Sequence, residues 1–173
     1  RNFKDISNLL SKLTFRRLFN FSKILGSYYL SRITGKASVS GMPVSISMEP
    51  TTSCNLRCPE CPSGLRAFSR PTGMLQPDFF EKVVDELAPD LLYLILYFQG
   101  EPFLNKNLFE MIRYASQKKI YTATSTNAHY LDDDNARKTI ESGLDRLIIS
   151  IDGTTQETYQ QYRIGGSLEK VIK

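Results

Sequence analysis

The sequence predicts an α/β protein built around a parallel β-sheet. Two observations carry this prediction. Segments with strand-like and helix-like apolar spacing alternate from Pro43 onward, and one strand segment, Leu91 to Phe98, is a continuous apolar run. Such a run is typical of a strand covered on both faces, as in parallel sheets flanked by helices. Right-handed crossovers join strands of this kind, and both an open doubly wound sheet and a barrel satisfy the pattern.

Four strand–helix units follow one another along the chain. The predicted strands are VSISME, LLYLILYF, IYTATSTN and LDRLIISID, and the predicted helices are QPDFFEKVVDELAP, LNKNLFEMIRYASQKK, DDDNARKTIESG and TTQETYQQYR. Pro77 and Asp78 begin the first helix and Pro89 ends it, whereas Gly143 ends the third. A complete eight-unit barrel takes about 250 residues, so four units supply about half of one, or a large part of a smaller one.

The first 42 residues differ from the rest in charge and pattern. Residues 1–40 contain eight Lys or Arg and one Asp, a net charge of +7 that leaves −3 for the remainder. One or two amphipathic helices are predicted, with Thr14 as an N-cap and with near-helical spacing of Phe15, Leu18, Phe19, Ser22, Leu25 and Tyr29. We therefore predict a basic helical leader and linker over residues 1–42, followed by a domain over residues 43–173.

The leader is expected to pack against the body of the protein, and contact with an anionic membrane surface or a partner is the alternative. Nucleic acid is not the expected partner, because the positive excess belongs to the leader rather than to the domain. No apolar stretch approaches the roughly 18 residues of a membrane span, and no signal peptide is visible. These features predict a cytoplasmic protein.

The ends of the sequence suggest a fragment of a longer protein. The chain starts with Arg1 rather than Met, and a helix that begins at Ser167 is cut off after about two turns. The composition, with 41% hydrophobic and 23% charged residues, is that of a globular protein with one core. We expect one domain or part of one.

All three cysteines, Cys54, Cys58 and Cys61, lie in one loop directly after the first predicted strand. Parallel α/β folds place their chemistry at the carboxyl ends of strands, and three clustered thiols favour a metal centre over a disulfide framework. Structural zinc usually takes four protein ligands, and the single histidine, His129, is distant in sequence and is assigned no role. A four-iron cluster held by Cys normally takes four thiolates, so three leave one iron open.

The segment CNLRCPEC resembles the cluster loop of the radical S-adenosylmethionine (radical SAM) enzymes, and MEPTTSCNLRCPEC is especially similar to the branch with a C-terminal SPASM domain. The resemblance implies a partial TIM-like barrel with about four of six units present. It also implies a [4Fe-4S] cluster on Cys54, Cys58 and Cys61, with S-adenosylmethionine chelating the iron that lacks a protein ligand. Glu60 departs from the pattern, since many members have an aromatic residue there.

The resemblance also extends to the end of the second strand. Gly100-Glu101-Pro102 resembles the family's Gly-Gly-Glu-Pro motif, with Gln99 in place of the first glycine. Glu101 is expected to accept hydrogen bonds from the ammonium group of the cofactor, because charge-assisted bonds are roughly twice as strong as neutral ones. Without the family context, Gly-Glu-Pro would be read as an ordinary turn.

Later strand ends supply further cofactor contacts by resemblance. Ser150 is expected to bind the cofactor and Asp152 to lie near its ribose, with the neighbouring isoleucines packed against helices. Arg163, in YRIGGS, is expected to hold the cofactor's carboxylate through its planar guanidinium group. A strand-to-turn transition and a solvated arginine are the ordinary alternatives. Asn127 precedes Ala128, which stands where the family often has glycine, so a positive φ there would be strained.

The predicted function is therefore a radical SAM enzyme that cleaves S-adenosylmethionine reductively and abstracts hydrogen from a substrate. A peptide or protein substrate is expected from the SPASM resemblance, and a small molecule is the alternative within the family. A low-potential donor of the flavodoxin or ferredoxin type would supply the electron. A zinc-stabilised binding module is the alternative outside the family. The 173-residue chain alone is expected to be incomplete and inactive.

Overall fold

The computed structural model describes residues 3–173. Four strands form one sheet: β1 (Ser45–Ser47), β2 (Tyr93–Ile95), β3 (Tyr121–Thr126) and β4 (Arg146–Ile149). Eight α-helices accompany them within the described residues: α1 (Phe3–Ser11), α2 (Phe15–Thr34), α3 (Pro62–Leu65), α4 (Pro77–Leu87), α5 (Leu108–Gln117), α6 (Asp133–Glu141), α7 (Gln156–Tyr162) and α8 (Leu168–Ile172). A 3-10 turn spans Pro102–Leu104.

The four strands are all parallel and lie in the order β1-β2-β3-β4. Each crossover thus moves one strand further in the same direction, and right-handed crossovers then put the helices on one side of the sheet. A doubly wound sheet reverses its strand order, which this sheet does not. The strand order therefore decides between the two architectures that the sequence left open, and the fold is a section of a TIM-like barrel.

The main hydrophobic core lies between the sheet and helices α4 and α5. Its fully buried members include Phe80, Val84, Leu94, Leu96, Leu108, Met111 and Ile112. The helical apolar spacing predicted from the sequence produces this packing. The core fixes β2, whose carboxyl end carries the Gly100-Glu101 segment.

The strands are shorter than the apolar runs that predicted them. Leu91 is fully buried but belongs to the turn after α4, where its N–H donates to the Leu87 carbonyl at 2.8 Å. Leu96 follows β2 and is also fully buried. The continuous run thus indicates burial, which extends beyond residues Tyr93–Ile95 of β2 at both ends.

The leader packs against the body, as predicted, at the amino-terminal edge of the sheet. From α1, Asn8 donates to Asp145 at 2.8 Å, and Asp5 accepts a hydrogen bond from the Tyr121 hydroxyl on β3. Lys12 forms an ion pair with Asp145 at 3.1 Å. The leader thereby closes the end of the sheet opposite the cysteine loop.

The second leader helix presents a polar face to the body. Its N-cap is Thr14, as predicted, whose hydroxyl accepts from the Arg17 N–H at 3.2 Å. The residues it buries are Arg17, Asn20 and Ser27, whereas its apolar residues are largely exposed. Polar side chains therefore make the contacts of α2 with the body, and its apolar spacing marks the exposed side. Within residues 3–173, no helix combines the length and apolarity required to cross a membrane.

Candidate functional site

A cavity opens at the carboxyl edge of the sheet, where the cysteine loop meets the ends of β2, β3 and β4. Its lining includes Cys54, Cys58, Cys61, Gln99, Gly100, Glu101, Ser125, Thr126, Asn127, Ser150, Tyr162 and Arg163. All three cysteines and four of the five other predicted cofactor residues therefore meet in one place. The fifth, Asp152, does not line this cavity but contacts it through Arg163.

Tight backbone packing holds the cysteine loop in shape. Cys58 is buried, and Cys54 and Cys61 are half-buried. A Cβ on Gly64, in α3, would lie 2.5 Å from both the N and the O of Cys58, so only glycine permits this approach. The short helix α3 thus fixes the spacing between the second and third thiols.

Each thiol has a polar neighbour from a different element. The guanidinium of Arg163 lies 3.8 Å from the Cys58 sulfur, the amide nitrogen of Asn127 lies 3.8 Å from the Cys54 sulfur, and the Cys61 thiol donates to Gln99 Oε1 at 3.3 Å. Burial raises the pKa of Cys54 and of Cys58, and Arg163 opposes the rise at Cys58. A coordinated metal deprotonates a thiol outright, so metal ligation would override this rise.

The segment after β2 crosses the cysteine loop at very close range. Gly100 has a φ of +79°, and a Cβ there would lie 2.0 Å from the Thr51 carbonyl oxygen. The Gly100 N–H donates to Ser63 Oγ at 2.8 Å, and the Glu101 N–H donates to the Ser53 carbonyl at 2.8 Å. The glycine of Gly-Glu-Pro is therefore required by the backbone geometry.

Glu101 is only 2% exposed, and its carboxylate links two strand ends. Oε1 accepts from the Thr126 hydroxyl at 2.6 Å and the Phe103 N–H at 3.2 Å, and Oε2 accepts from the Asn127 N–H at 2.8 Å. Burial raises the pKa of Glu101, while these hydrogen bonds oppose the rise. Oε2, with one bond, has acceptor capacity left for a second donor.

The turn after β3 carries the strained residue expected from the sequence. Ala128 has a φ of +61°, the left-handed conformation that glycine adopts at less cost. Asn127 stabilises the turn by accepting from the His129 N–H at 3.1 Å and by donating to Asn55 in the cysteine loop at 2.8 Å. Asn127 thus connects β3 to the cysteine loop.

His129 is buried and serves the fold. Its Nε2 accepts from the Ser167 N–H at 2.9 Å, so Nδ1 carries the proton and donates towards Asn127 at 3.1 Å. Burial lowers the pKa of His129, which keeps the ring neutral near pH 7. Both ring nitrogens are thus engaged within the chain.

In the region after β4, Asp152 and Arg163 contact each other, whereas Ser150 contacts the end of β3. Ser150 pairs with Ser125 at 3.1 Å between hydroxyl oxygens, and Asp152 accepts from Arg163 Nε at 2.5 Å. Ile149 and Ile151 are 44% and 45% exposed, so the expectation that they pack against helices is wrong. β4 is the edge strand, and the described residues supply no neighbour beyond it.

The thiol arrangement fits an iron–sulfur cluster better than a single zinc ion. Within residues 3–173, no three His, Cys, Asp or Glu side chains converge closely enough to hold one metal ion. A zinc ion requires its ligand atoms to converge at about 2.0–2.3 Å from the metal. A four-iron cluster is larger, and each thiolate binds a different iron, so three thiols spaced around one cavity fit it. His129 is engaged with Ser167 and is not placed as a fourth zinc ligand.

Sequence reasoning assigned no role to Gln99, which it treated only as a departure from the family motif. Its side-chain oxygen contacts the Cys61 thiol at 3.3 Å and the Ser63 hydroxyl at 3.4 Å. Gln99 is thus a cavity residue that bridges the end of β2 and the cysteine loop. Its position between the end of a strand and the Gly-Glu-Pro turn was the feature of the sequence that could have identified it as a cavity residue.

Comparisons with curated relatives agree with this geometry. The chain is 30% identical over 136 residues to an AdoMet-dependent heme synthase from Methanosarcina barkeri, covering 78% of this chain and 39% of the relative. It is 31% identical over 130 residues to a PqqA peptide cyclase from Rhodopseudomonas palustris, covering 75% and 34%. The chain thus spans less than two-fifths of the length of these relatives.

Solved structures share the fold. SuiB of Streptococcus suis bound to its precursor peptide SuiA has a TM-score of 0.60 at 15% identity, covering 78% of this chain and 30% of SuiB. BtrN in complex with AdoMet and 2-DOIA has a TM-score of 0.59 at 18% identity, covering 78% and 56%. The model of the radical SAM superfamily matches residues 48–173. With the three-cysteine loop, the Gly-Glu-Pro turn and most of its length matched, the chain belongs to the radical SAM superfamily, whose members use a [4Fe-4S] cluster and S-adenosylmethionine.

Proposed function

We propose that this chain forms the cofactor-binding part of a radical SAM enzyme. Cys54, Cys58 and Cys61 hold three irons of a [4Fe-4S] cluster, and S-adenosylmethionine takes the fourth. One observation supports this most directly: the three thiols line a single cavity together with the buried carboxylate of Glu101. When bound, the two cofactors supply reductive cleavage of a sulfonium and a 5′-deoxyadenosyl radical that abstracts hydrogen from a substrate.

The contribution of the polypeptide is to position the cofactors and to exclude water. Gly100 allows the β2 segment to pass against Thr51, which brings Glu101 beside the cysteine loop. Glu101 then fixes the turn after β3 through Thr126 and Asn127. We propose that Glu101 accepts a hydrogen bond from the ammonium group of S-adenosylmethionine, because Oε2 has acceptor capacity left.

Arg163, Ser150 and Asp152 complete the proposed cofactor contacts. Arg163 lies between Cys58 and Asp152, with one nitrogen directed to each, so it combines a cation with a fixed orientation. A guanidinium so oriented suits the carboxylate of the cofactor. Ser150 lines the cavity with a hydroxyl, and Asp152 holds Arg163 in place. The proposed position of Asp152 next to the ribose follows from the family resemblance.

A peptide or protein is our proposed substrate, and a low-potential flavodoxin or ferredoxin is the proposed electron donor. The PqqA peptide cyclase and peptide-bound SuiB support a peptide substrate. The AdoMet-dependent heme synthase and BtrN with its bound 2-DOIA support a small molecule as the second candidate. We also propose a cytoplasmic location, because free thiols such as these persist in reducing compartments.

Turnover of the cofactor tests the proposal. The full-length protein, reconstituted with iron and sulfide without air and then reduced, should convert S-adenosylmethionine to 5′-deoxyadenosine and methionine. The Cys58→Ser variant should form neither product. Ile140→Gln, which changes an exposed side chain on α6, is the matched control and should retain the activity. Absence of 5′-deoxyadenosine from an iron-loaded wild-type protein would contradict the proposal.

A further inference from the structure

Helix α2 is attached to the body by its polar side. Arg17 is 3% exposed, and its guanidinium donates to four backbone carbonyls, among them Lys119 O at 2.6 Å and Ala88 O at 2.9 Å. Asn20 exchanges two hydrogen bonds of 2.8 Å with the backbone of Met42. These contacts fix which side of the helix faces the protein.

The opposite side of α2 is an exposed apolar face. We define this α2 apolar face as Phe15, Leu18, Phe19, Phe21, Leu25, Tyr29, Leu30 and Ile33, whose exposed fractions run from 40% to 87%. Their spacing places them on one side of a helix about 30 Å long. Contiguous exposed apolar surface of this kind marks an interaction site rather than ordinary surface.

Cations flank this face, and no acidic residue occurs in α2. The Lys23 ammonium lies 5.9 Å from the centre of the Phe19 ring, and the Arg32 guanidinium lies 5.9 Å from that of Tyr28. Residues 1–40 carry a net charge of +7, of which Lys12 and Arg16 are paired with Asp145 and Asp90 and Arg17 is buried against the body. An apolar, aromatic-rich helix face flanked by cations is complementary to the interface of an anionic bilayer.

We propose that α2 lies in the plane of an anionic lipid membrane, with its apolar face at the boundary between headgroups and acyl chains, and anchors the protein there. A second copy is disfavoured as the occupant, because Lys23 and Arg32 beside the apolar face would repel the same cations of the other copy. The family model starts at residue 48, so the leader lies outside the part that defines the family core. The polar side of α2 stays on the body, so the helix rests on the membrane without crossing it.

Vesicle binding by the full-length protein tests this proposal independently of catalysis. The protein is sedimented with vesicles of phosphatidylglycerol and phosphatidylcholine, and with vesicles of phosphatidylcholine alone. We expect preferential binding to the anionic vesicles, and weaker binding as salt is added. The triple variant Phe15→Gln, Phe19→Gln, Ile33→Gln should lose at least about tenfold in affinity. Lys23→Gln and Arg32→Gln should lose about fivefold each.

Controls separate membrane binding from misfolding and from other occupants. Ile140→Gln changes a side chain that is 80% exposed on α6 and should bind as the wild type does. Circular dichroism and thermal unfolding should show the same fold in every variant. Wild-type binding by the triple variant, or equal affinity for both kinds of vesicle, would overturn the proposal. A lipid-free dimer that the triple variant dissociates would overturn it in favour of a second copy. Protection of Phe15 and Ile33 from hydroxyl-radical labelling in the lipid-free monomer would overturn it in favour of a further segment of the same protein.

Discussion

The cleft at the carboxyl edge of the sheet, which is the cavity lined by the cysteines, and the leader helix α2 both bury polar groups, but these groups have different roles. In the cleft, Glu101 is satisfied by hydrogen bonds while three thiols line the same cavity. In α2, Arg17 is equally buried, and its guanidinium donates hydrogen bonds to backbone carbonyls of the body. Polar burial around a cavity indicates ligand binding, whereas polar burial along a helix indicates docking. The membrane contact that we propose for α2 uses its exposed apolar face.

The two regions also differ in their relation to the family. The cleft lies within residues 48–173, which match the superfamily model, and the leader lies outside them. Their contacts with the sheet are at opposite ends of the strands. Changes in one region should therefore leave the other intact, and this separation can be tested one residue at a time.

The largest expected effect is on iron content. Cys58→Ser should lower the iron content by about four atoms per chain relative to the wild type, because serine is a poor ligand for a soft metal centre. Iron analysis after anaerobic reconstitution measures this, with vesicle binding measured in parallel. Vesicle binding should be unchanged. Loss of both properties together would show that the cleft and α2 are not separable.

The glycine before Glu101 should be the most sensitive backbone position. Gly100→Ala places a Cβ 2.0 Å from the Thr51 carbonyl oxygen in a left-handed conformation, so we expect a loss of about 3 kcal/mol in the free energy of unfolding. Urea unfolding measures it. Gly73→Ala is the matched control, since nothing lies within 4 Å of its added Cβ. Similar stability of the two variants would contradict the close crossing.

On the leader side, Arg17→Met should lower the free energy of unfolding by about 2 kcal/mol. Four carbonyls lose a charged donor, and the buried Nε, which has no partner, limits the net loss. Arg16→Met, its neighbour with a largely exposed side chain paired to Asp90, should cost much less. Urea unfolding and limited proteolysis of the leader compare the two. Equal losses would show that burial of Arg17 does not anchor α2.

A smaller effect concerns pH. Burial raises the pKa of Glu101 in the folded state above its ordinary 4.5, so the folded protein binds this proton more tightly than the unfolded chain. The contribution of Glu101 to stability is therefore greatest below pH 4.5 and falls as pH rises from there through the raised pKa. Relative to Glu101→Gln, the wild type should lose stability over this interval. Parallel urea titrations at several pH values measure the difference, and a pH-independent difference would contradict the raised pKa.

The smallest expected effect is at Gln99. With the Cys61 sulfur bound to iron as a thiolate, the Gln99 amide would turn its NH2 group towards it, and this donor favours the reduced, more negative cluster. Gln99→Leu should lower the reduction potential by a few tens of mV, about 1 kcal/mol, with iron content unchanged. Potentiometric titration followed by electron paramagnetic resonance measures it. An unchanged potential would leave Gln99 as a packing residue only.

Much of the fold was predictable because apolar periodicity is a local signal. The helix starts at Thr14 and Pro77, the positive φ of Gly143 and four strand–helix units all follow from neighbouring residues. The choice between a doubly wound sheet and a barrel was not predictable in this way. It depends on strand order, which is set by contacts between distant segments.

The same distinction between local signals and contacts of distant segments applies to the candidate site. The cysteine spacing and the Gly-Glu-Pro turn were visible as motifs, whereas the contact between Gln99 and Cys61 joins two loops 38 positions apart. The orientation of α2 was also not predictable. Periodicity identifies an apolar face but does not say whether the body or another surface receives it, and here Arg17 and Asn20 decide.

The cofactor-binding claim is tested most directly by the electron paramagnetic resonance spectrum of the reduced full-length protein before and after addition of S-adenosylmethionine. We predict a reduced [4Fe-4S] signal that changes on addition, because the cofactor takes the iron that has no cysteine ligand. A spectrum that does not change, or a purified protein that takes up one zinc and no iron, would contradict the account.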